Sequence, residues 1–213
     1  MKQSIVTLDF EGVLVPEMWI AVAETTGILE LSRTTRDEPD FNKLMLGRLA
    51  ILNQRSLKLS DIQKIIAGLR PLDGAKEFLD ELRSIVQVVI LSDTFEQFAW
   101  PLLRQLAWPT LLCHKLVVED GHIVNYRLRI AEQKREAVTA LRQMNYSVIA
   151  AGDSFNDIAM LLAADVGVFF RAPDTVKKQF SQFQTVEGYA DLMKLIRKAM
   201  MEAEVENRSD GAT

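Results

Sequence analysis

Short apolar runs alternate with helical patterns along most of this chain. Each run is rich in Val, Ile, Leu or Phe, and most end at a polar or glycine residue, which is typical of buried strands. The predicted strands lie at about 5–8, 86–91, 111–113, 148–151 and 166–169. The predicted helices between them lie at about 75–83, 96–106, 134–144 and 157–164. Alternating strands and helices predict an α/β fold with a doubly wound, Rossmann-like parallel sheet.

The segment between the first strand and this series is predicted to be helical throughout. Pro16 favours a helix start, and Asp40 is a candidate N-cap for a second helix. Ser60 begins a capping-box pattern that predicts a third helix. We therefore expect a small helical cap, placed to act as a lid and called the cap segment below. The predicted division is a catalytic core at 1–14 and 71–213, with the cap segment at 15–70.

Composition and charge narrow the class of protein. The 213 residues are 48% hydrophobic and 25% charged, as in ordinary globular proteins. A net charge of −4 gives no indication of a basic surface that would bind nucleic acid, and no apolar run is long enough for a membrane span. Cys113 is the lone cysteine, so it cannot form an internal disulfide, and a buried thiol is favoured over a reactive one. These observations predict a soluble, cytoplasmic protein.

Carboxylates follow two of the predicted strands. Asp9 and Glu11 come after the first, and Asp153, Asn156 and Asp157 come after the strand at 148–151. Because parallel strands end at the same edge of a sheet, we expect the two groups to meet there. Carboxylates gathered at one place repel each other, and a hard divalent cation such as Mg²⁺ relieves the repulsion. The alternative is local, since acidic residues also serve in turns and as helix caps.

Two further positions suit phosphate chemistry. Ser92, Asp93 and Thr94 follow a strand and precede a helix, where a hydroxyl and backbone N–H groups can bind phosphate. A plain helix cap explains this motif equally well when it is taken alone. Lys134 opens a helix, where a cation opposes the helix dipole, so a role in balancing anionic charge is indicated. A solvated lysine is the alternative.

Taken together and in this order, these pieces resemble the haloacid dehalogenase superfamily of aspartyl-phosphate enzymes. The segment 9–14 (DFEGVL) resembles its first motif and 92–94 (SDT) its second. Lys134 resembles the third, and 152–157 (GDSFND) resembles the fourth. The resemblance covers nearly the whole chain and implies the fold predicted above, with Mg²⁺ as cofactor.

The resemblance also implies roles for these residues. Asp9 would be the nucleophile that takes up the phosphoryl group, with Glu11 handling the proton and Lys134 neutralising charge. Mg²⁺ would be held by the side chains of Asp9 and Asp153 and the main-chain oxygen of Glu11, with Asp157 close by. The substrate-binding set on the core is Ser92, Asp93, Thr94, Lys134 and Asn156.

The cap segment carries two more candidates. Arg48 shares a helical stripe with apolar residues, which is costly for a guanidinium unless it meets an anion. Glu17 lies just past the first strand. Local alternatives are a snorkelling side chain for Arg48 and a first-turn acid for Glu17. The pair resembles the one that phosphoserine phosphatases use for the α-carboxylate and α-ammonium groups, which implies a phospho-amino acid substrate.

Two departures from the usual phosphoserine phosphatase pattern refine the expectation. Glu11 replaces an Asp, and Ser-Asp-Thr at 92–94 replaces Ser-Gly-Gly. Both features, with 34–37 (TTRD) and 109–116 (PTLLCHKL), resemble the bifunctional phosphoserine phosphatase/homoserine phosphotransferase group. Homoserine is then a second acceptor besides water, and a homodimer is one assembly that the observations allow. The alternatives are a phosphatase for another small molecule and a phosphate-binding module without turnover.

Overall fold

The computed structural model describes residues 2–35, 37, 38 and 40–210, the last five by their backbone alone. A seven-stranded sheet forms its centre. The strands are β1 (Gln3–Leu8), β2 (Gln87–Phe95), β3 (Leu111–Glu119), β4 (His122–Arg127), β5 (Tyr146–Gly152), β6 (Val166–Phe170) and β7 (Gln184–Val186). Their order is β4-β3-β2-β1-β5-β6-β7. β3 and β4 form an antiparallel hairpin, and the other adjacent pairs within the described residues are parallel.

Helices cover the two faces of this sheet, which confirms the predicted α/β fold class. Those of the cap segment are α1 (Met18–Thr26), α2 (Phe41–Gln54) and α3 (Leu59–Ala67), with a 3-10 turn at Leu29–Ser32. Those of the core are α4 (Ala75–Ile85), α5 (Glu96–Gln105), α6 (Gln133–Gln143), α7 (Ile158–Ala163), α8 (Asp174–Gln179) and α9 (Tyr189–Asp210), with a 3-10 turn at Phe155–Asp157. None of the helices within the described residues combines the length and apolar character needed to cross a lipid bilayer.

The central strand β1 sets the position of the site. It pairs in parallel with β2 and β5, and Leu8 stands level with Ile90 on one side and Ala151 on the other. Apolar side chains pack on both faces of β1, because a parallel sheet is covered on both sides. The first and fourth motifs therefore leave the sheet at the same height. The expected meeting of the two carboxylate groups follows from this register.

The chain leaves and re-enters the core at one place. Leu72 N–H donates to the Leu14 carbonyl oxygen at 3.0 Å, which joins the two ends of the cap segment. The cap contacts the core again at the β3–β4 hairpin, where Tyr126 Oη donates to Asn42 Oδ1 at 2.7 Å. The cap segment is helical as expected, while its action as a lid and its standing as a separate domain at 15–70 stay predictions. Arg36, in the stretch at 34–37, lies outside the described residues.

Two local expectations were wrong. The N-cap of α3 is Lys58, two residues before Ser60, because the Asp61 carboxylate accepts from the Lys58 N–H at 3.1 Å. β2 continues to Phe95, so the second motif lies within the strand rather than at a helix start. The partner strand β3 makes this extension possible by pairing again beyond a register shift.

Candidate active site

Asp9 is the first residue after β1, and its carboxyl group lies at the carboxyl edge of the sheet. Its N–H donates to the Ala151 carbonyl oxygen at 2.9 Å, which fixes the main chain there. The residue is buried, with 4% of its surface exposed. Burial raises the pKa of Asp9 well above its usual range, Asp157 and Asp153 raise it further, and Lys134 opposes them. Asp9 therefore depends on nearby cations for its ionised form.

Lys134 supplies one such cation from the first turn of α6. Its side chain is buried, and Nζ lies 2.9 Å from Asp9 Oδ1 and 2.7 Å from Asp157 Oδ1. Burial lowers the pKa of Lys134, but Asp157, Asp9 and Asp93 outweigh burial and raise the pKa well above its usual range. Lys134 thus remains an ammonium ion that joins the first and fourth motifs.

Asp157 organises the loop after β5. Its Oδ1 accepts from Lys134, and its Oδ2 accepts from the N–H groups of Asp153 and Ser154 at 2.9 and 3.1 Å. Gly152 makes room for this carboxylate, because a Cβ there would lie 2.4 Å from Asp157 Cγ. Both Asp157 oxygens are engaged by donors of the protein. Its assignment as a metal ligand therefore stays a prediction.

A divalent cation fits the space between the two carboxylate motifs. Asp9, Asp153 and Asp157 each offer an oxygen, and these three oxygens lie within 4.8 Å of one another. Burial and the nearby Asp157 raise the pKa of Asp153 to about 7, so this group also gains from a bound cation. Gly12 closes the space with φ of 78°, and a Cβ there would lie 2.4 Å from Asp153 Oδ2. An all-oxygen donor set of this kind suits Mg²⁺.

Glu11 extends toward the cap segment. Its Oε1 accepts from the Met18 N–H at the start of α1, at 2.8 Å. Burial raises the pKa of Glu11 to about 8, with a further contribution from Glu17, while Met18 and Arg48 oppose the rise. A carboxyl group that titrates near neutral pH can either give or accept a proton. The structure therefore gives Glu11 a pKa suited to the predicted proton-handling role.

Arg48 is buried on the cavity side of α2, with 7% exposed. Its guanidinium carbon lies 4.5 Å from the centre of the Trp19 ring, and Nη2 donates to the Arg33 carbonyl oxygen at 2.5 Å. Within the described residues, its Nε is buried without a hydrogen-bond partner. Burial lowers the pKa of Arg48 to about 10, although the nearby Glu11 and Glu17 act to raise it. The alternative of a snorkelling side chain is thus wrong, because the guanidinium group is buried in the protein and does not reach the surface.

The second motif and Asn156 form the wall beside Lys134. Ser92 is buried and its Oγ accepts from the Thr94 N–H at 3.2 Å. Asp93 Oδ2 lies 3.9 Å from Lys134 Nζ and accepts from Asn156 Nδ2 at 3.4 Å. Burial would raise the pKa of Asp93, but Lys134 and the residues behind it lower it below its usual range. Asp93 is therefore ionised beside the lysine.

The predicted substrate and metal residues, except Lys134 and Asp157, surround one small cavity of about 90 Å³ between the cap segment and the core. Lys134 lies behind the cavity floor through its contact with Asp9, and Asp157 in turn contacts Lys134. The cavity is lined by Asp9, Glu11, Glu17, Trp19, Thr34, Thr35, Phe41, Leu44, Met45, Arg48, Ser92, Asp93, Thr94, Phe95, Asp153, Ser154 and Asn156.

Two buried polar residues behind Asp93 were missed by sequence reasoning. His114 has Nε2 3.6 Å from Asp93 Oδ1, and Gln133 Nε2 donates to the same oxygen at 3.2 Å. Both side chains are buried, and Gln133 also donates to the Ser92 carbonyl oxygen. Their positions depend on the β2–β3 pairing and on α6. The nearest local signal is that Gln133 precedes Lys134.

Comparisons with known proteins place this geometry in context. The haloacid dehalogenase-like hydrolase family model matches residues 4–165. The phosphoserine phosphatase ThrH of Pseudomonas aeruginosa is 55% identical over 196 residues, which cover 92% of this chain and 96% of that protein. A phosphoserine phosphatase of Pseudomonas syringae pv. tomato is 54% identical over 196 residues, which cover 92% of this chain and 83% of that protein.

Solved structures share the fold at lower identity. A phospho-aspartyl intermediate analogue of phosphoserine phosphatase matches with a TM-score of 0.76 and 20% identity, covering 92% of this chain and 99% of that one. A substrate-bound phosphoserine phosphatase complex matches with a TM-score of 0.76 and 21% identity over the same shares. These likenesses establish the fold.

Proposed function

Because this chain belongs to the haloacid dehalogenase-like hydrolase family, we propose that it is a Mg²⁺-dependent phosphoserine phosphatase that works through a phosphorylated Asp9. We further propose that homoserine can replace water as the acceptor. The observation that carries the proposal is the enclosed contact of Asp9 with Lys134 at 2.9 Å, at the floor of a cavity that also contains Arg48. The named relatives support the same substrate.

The first half of the reaction forms the phosphorylated enzyme. An Asp9 oxygen attacks phosphorus, the bond from phosphorus to the serine oxygen breaks, and that oxygen takes a proton from Glu11. Lys134 and Ser92 stabilise the phosphoryl oxygens, and Asp157 keeps Lys134 in place. Mg²⁺, held by Asp9, Asp153 and the main-chain oxygen of Glu11, would supply charge neutralisation for the attack.

The second half returns Asp9 to its free form. The acceptor oxygen, from water or homoserine, loses its proton to Glu11 and attacks phosphorus, and the bond from phosphorus to Asp9 breaks. The products are inorganic phosphate from water and phosphohomoserine from homoserine. Glu11 gives its proton in the first half and takes one in the second, which suits a group with a pKa of about 8.

The amino-acid end of the substrate is proposed to bind at the cap segment. Arg48 presents a buried guanidinium whose Nε has no partner in the described part of the chain, and a carboxylate would satisfy it. Glu17 lines the same cavity and suits an α-ammonium group. Homoserine carries the same two groups as serine. A site that holds these groups can therefore present either alcohol to the phosphorylated Asp9.

The test is to incubate the purified protein with phosphoserine and Mg²⁺, with and without homoserine, and to identify the products by phosphorus NMR. Phosphohomoserine supports transfer, whereas phosphate alone leaves a hydrolase. The absence of both products overturns the proposal. Asp9→Asn serves as the matched control, because it keeps the shape of the side chain and removes the nucleophilic carboxylate. Wild-type turnover by this variant would contradict the phosphorylated Asp9.

Substrate selection is tested separately with Arg48→Met, which keeps an unbranched apolar chain over Trp19. We expect kcat/KM for phosphoserine to fall by about 10²-fold, because a buried charged hydrogen bond to the carboxylate is lost. Activity toward an aryl phosphate should change little. Equal losses for both substrates would favour a phosphatase for another small molecule.

The homodimer that the sequence allows stays a prediction.

A further inference from the structure

Asp93 is an unexpected residue for a phosphate site. Asp93 lines the cavity together with Asn156, its carboxylate lies 3.9 Å from Lys134 Nζ, and its side chain is 32% exposed. An anion in this position repels a phosphate group. In the resembled phosphatases, glycine is the usual residue at this point of the second motif. The steps proposed above do not use the carboxylate.

Asp93 is held from behind by two side chains. Oδ1 accepts from Gln133 Nε2 at 3.2 Å and lies 3.6 Å from His114 Nε2. The Nδ1 of His114 accepts from the Arg129 N–H at 3.2 Å, so in the neutral ring the proton is on Nε2, the nitrogen on the side of Asp93 and Gln133. Both His114 and Gln133 are buried. The carboxylate is therefore fixed in direction.

The other oxygen faces the groups that a phosphoryl group needs. Oδ2 accepts from Asn156 Nδ2 at 3.4 Å and lies 3.9 Å from Lys134 Nζ. Lys134 already contacts Asp9 and Asp157, so Asp93 is a third anion around one ammonium group. A bound phosphoryl group would share Lys134 and Asn156 with this carboxylate. Asp93 would therefore compete with the phosphoryl group for Lys134 and Asn156.

We propose that Asp93, held by His114 and Gln133, is a positioning residue that shares Lys134 and Asn156 with the phosphoryl group and so limits how tightly phosphate binds. The inference rests on the proposed function, because it requires phosphate to bind at this end of the cavity. Its consequence is weak retention of the inorganic phosphate product. It acts through its neighbours, and no bond to phosphorus is assigned to it.

The test measures binding of inorganic phosphate by calorimetry in the presence of Mg²⁺, together with kcat and KM for phosphoserine. We expect Asp93→Asn to bind phosphate at least about tenfold more tightly, because a like charge a few ångströms from a doubly charged anion is removed, and this repulsion is of that size even under the strong screening of water. KM should fall, and kcat should fall as well because the product leaves slowly. Asp93→Gly, which also removes the charge, should tighten phosphate binding too.

Asp73→Asn is the control, because it makes the same change in net charge at an exposed position before α4. It should leave phosphate affinity unchanged. Equal phosphate affinity in the wild type, Asp93→Asn and Asp93→Gly overturns the inference and leaves the proposed function intact. Failure of the wild type itself to bind phosphate with Mg²⁺ instead contradicts the proposed function, and the inference falls with it.

The contribution of His114 is tested in a double-mutant cycle. In the His114→Leu background, the effect of Asp93→Asn on phosphate affinity should shrink to less than about threefold, because the carboxylate is no longer held against Lys134. In the His114→Gln background the full effect should return, since the amide nitrogen can take the place of Nε2. The same effect in both backgrounds would contradict the part assigned to His114.

Discussion

Replacing Lys134 with Met gives the most direct test of the buried charge cluster. Met has a similar length and no charge, so the substitution removes the ammonium group without opening a large cavity. It leaves Asp9 and Asp157 without the contacts of 2.9 and 2.7 Å in a buried setting. Removing one partner of a buried ion pair costs about 3–5 kcal/mol. With a slope of about 2–3 kcal/mol per M, the urea midpoint should fall by about 1–2.5 M.

The pH dependence follows from the sign of the change at Asp9. Burial already raises the pKa of Asp9 in the folded protein, and removal of Lys134 raises it further. The folded state then holds a proton that the unfolded state releases near pH 4. The wild type loses stability in the same way up to its own folded pKa, so the penalty of Lys134→Met grows between the folded pKa of Asp9 in the wild type and its higher pKa in the variant. It should therefore be larger at alkaline pH than at pH 5.5.

The assay is urea unfolding followed by circular dichroism, in EDTA so that no metal compensates for the lost ammonium. Lys115→Met is the matched control, because Lys115 is 67% exposed and lies 3.5 Å from Glu96. Its loss should cost at most about 1 kcal/mol. The double variant Lys134→Met, Asp157→Asn should regain part of the stability, since it also removes an unpaired carboxylate. If Lys134→Met unfolds at the same urea concentration as Lys115→Met, the electrostatic reasoning is refuted.

Three further outcomes are expected. In EDTA, Glu11→Gln should become more stable relative to the wild type as pH rises from 5 to 9. The pKa of Glu11 in the folded wild type is about 8, so the wild type loses stability as the pH rises toward that value. Parallel curves of stability against pH for the two proteins would contradict this. Gly12→Ala should weaken Mg²⁺ binding in calorimetry and lower the free energy of unfolding by about 1–3 kcal/mol, because φ of Gly12 is 78° and the new Cβ would meet Asp153. The control Gly47→Ala, which has open space around its Cβ, should bind Mg²⁺ like the wild type. Cys113 should react slowly with iodoacetamide at pH 8 in the native protein, because burial raises its pKa to about 12, and rapid native labelling would show that the thiol is accessible and ionised.

The alternation of strands and helices was predictable because each element has a local signal. Asp40 illustrates this: its side chain accepts from the Lys43 N–H at 3.0 Å, as the N-cap pattern indicates. The Asp120–Gly121 turn of the β3–β4 hairpin has both φ values positive, as a two-residue turn requires. These features depend on neighbours within a few positions. A single sequence contains that information.

The extension of β2 through Phe95 has a different origin. Phe95 pairs with His114 only after a register shift, so the strand is continued by its partner rather than by its own sequence. The Ser-Asp-Thr motif also has few apolar residues to suggest a strand. Tertiary pairing therefore overrides local propensity at the second motif.

Contacts between distant residues explain what was missed in the site. The hydrogen bond between Asp93 and Asn156 joins residues 63 positions apart, and Gln133 reaches Asp93 over 40 positions. The sequence indicated Asp93 and Asn156 through motif order, but nothing local indicates that they touch. His114 had even less signal, because a buried histidine on a strand is usually structural.

Because carboxyl groups outnumber cationic groups in this cavity, we expect an anionic substrate to be bound by specific contacts with cations and not by the net charge of the cavity. Five carboxyl groups and Arg48 line the cavity, and only Lys134 among the described lysines reaches its floor. The raised pKa values of Asp9, Glu11 and Asp153 reflect burial together with this crowding. A doubly charged phosphate group would gain little from the average potential of such a cavity. In the proposed function its binding comes from short contacts with Lys134 and from a divalent cation between Asp9 and Asp153. We therefore expect that weakening either contact weakens phosphate binding far more than a change in overall protein charge does.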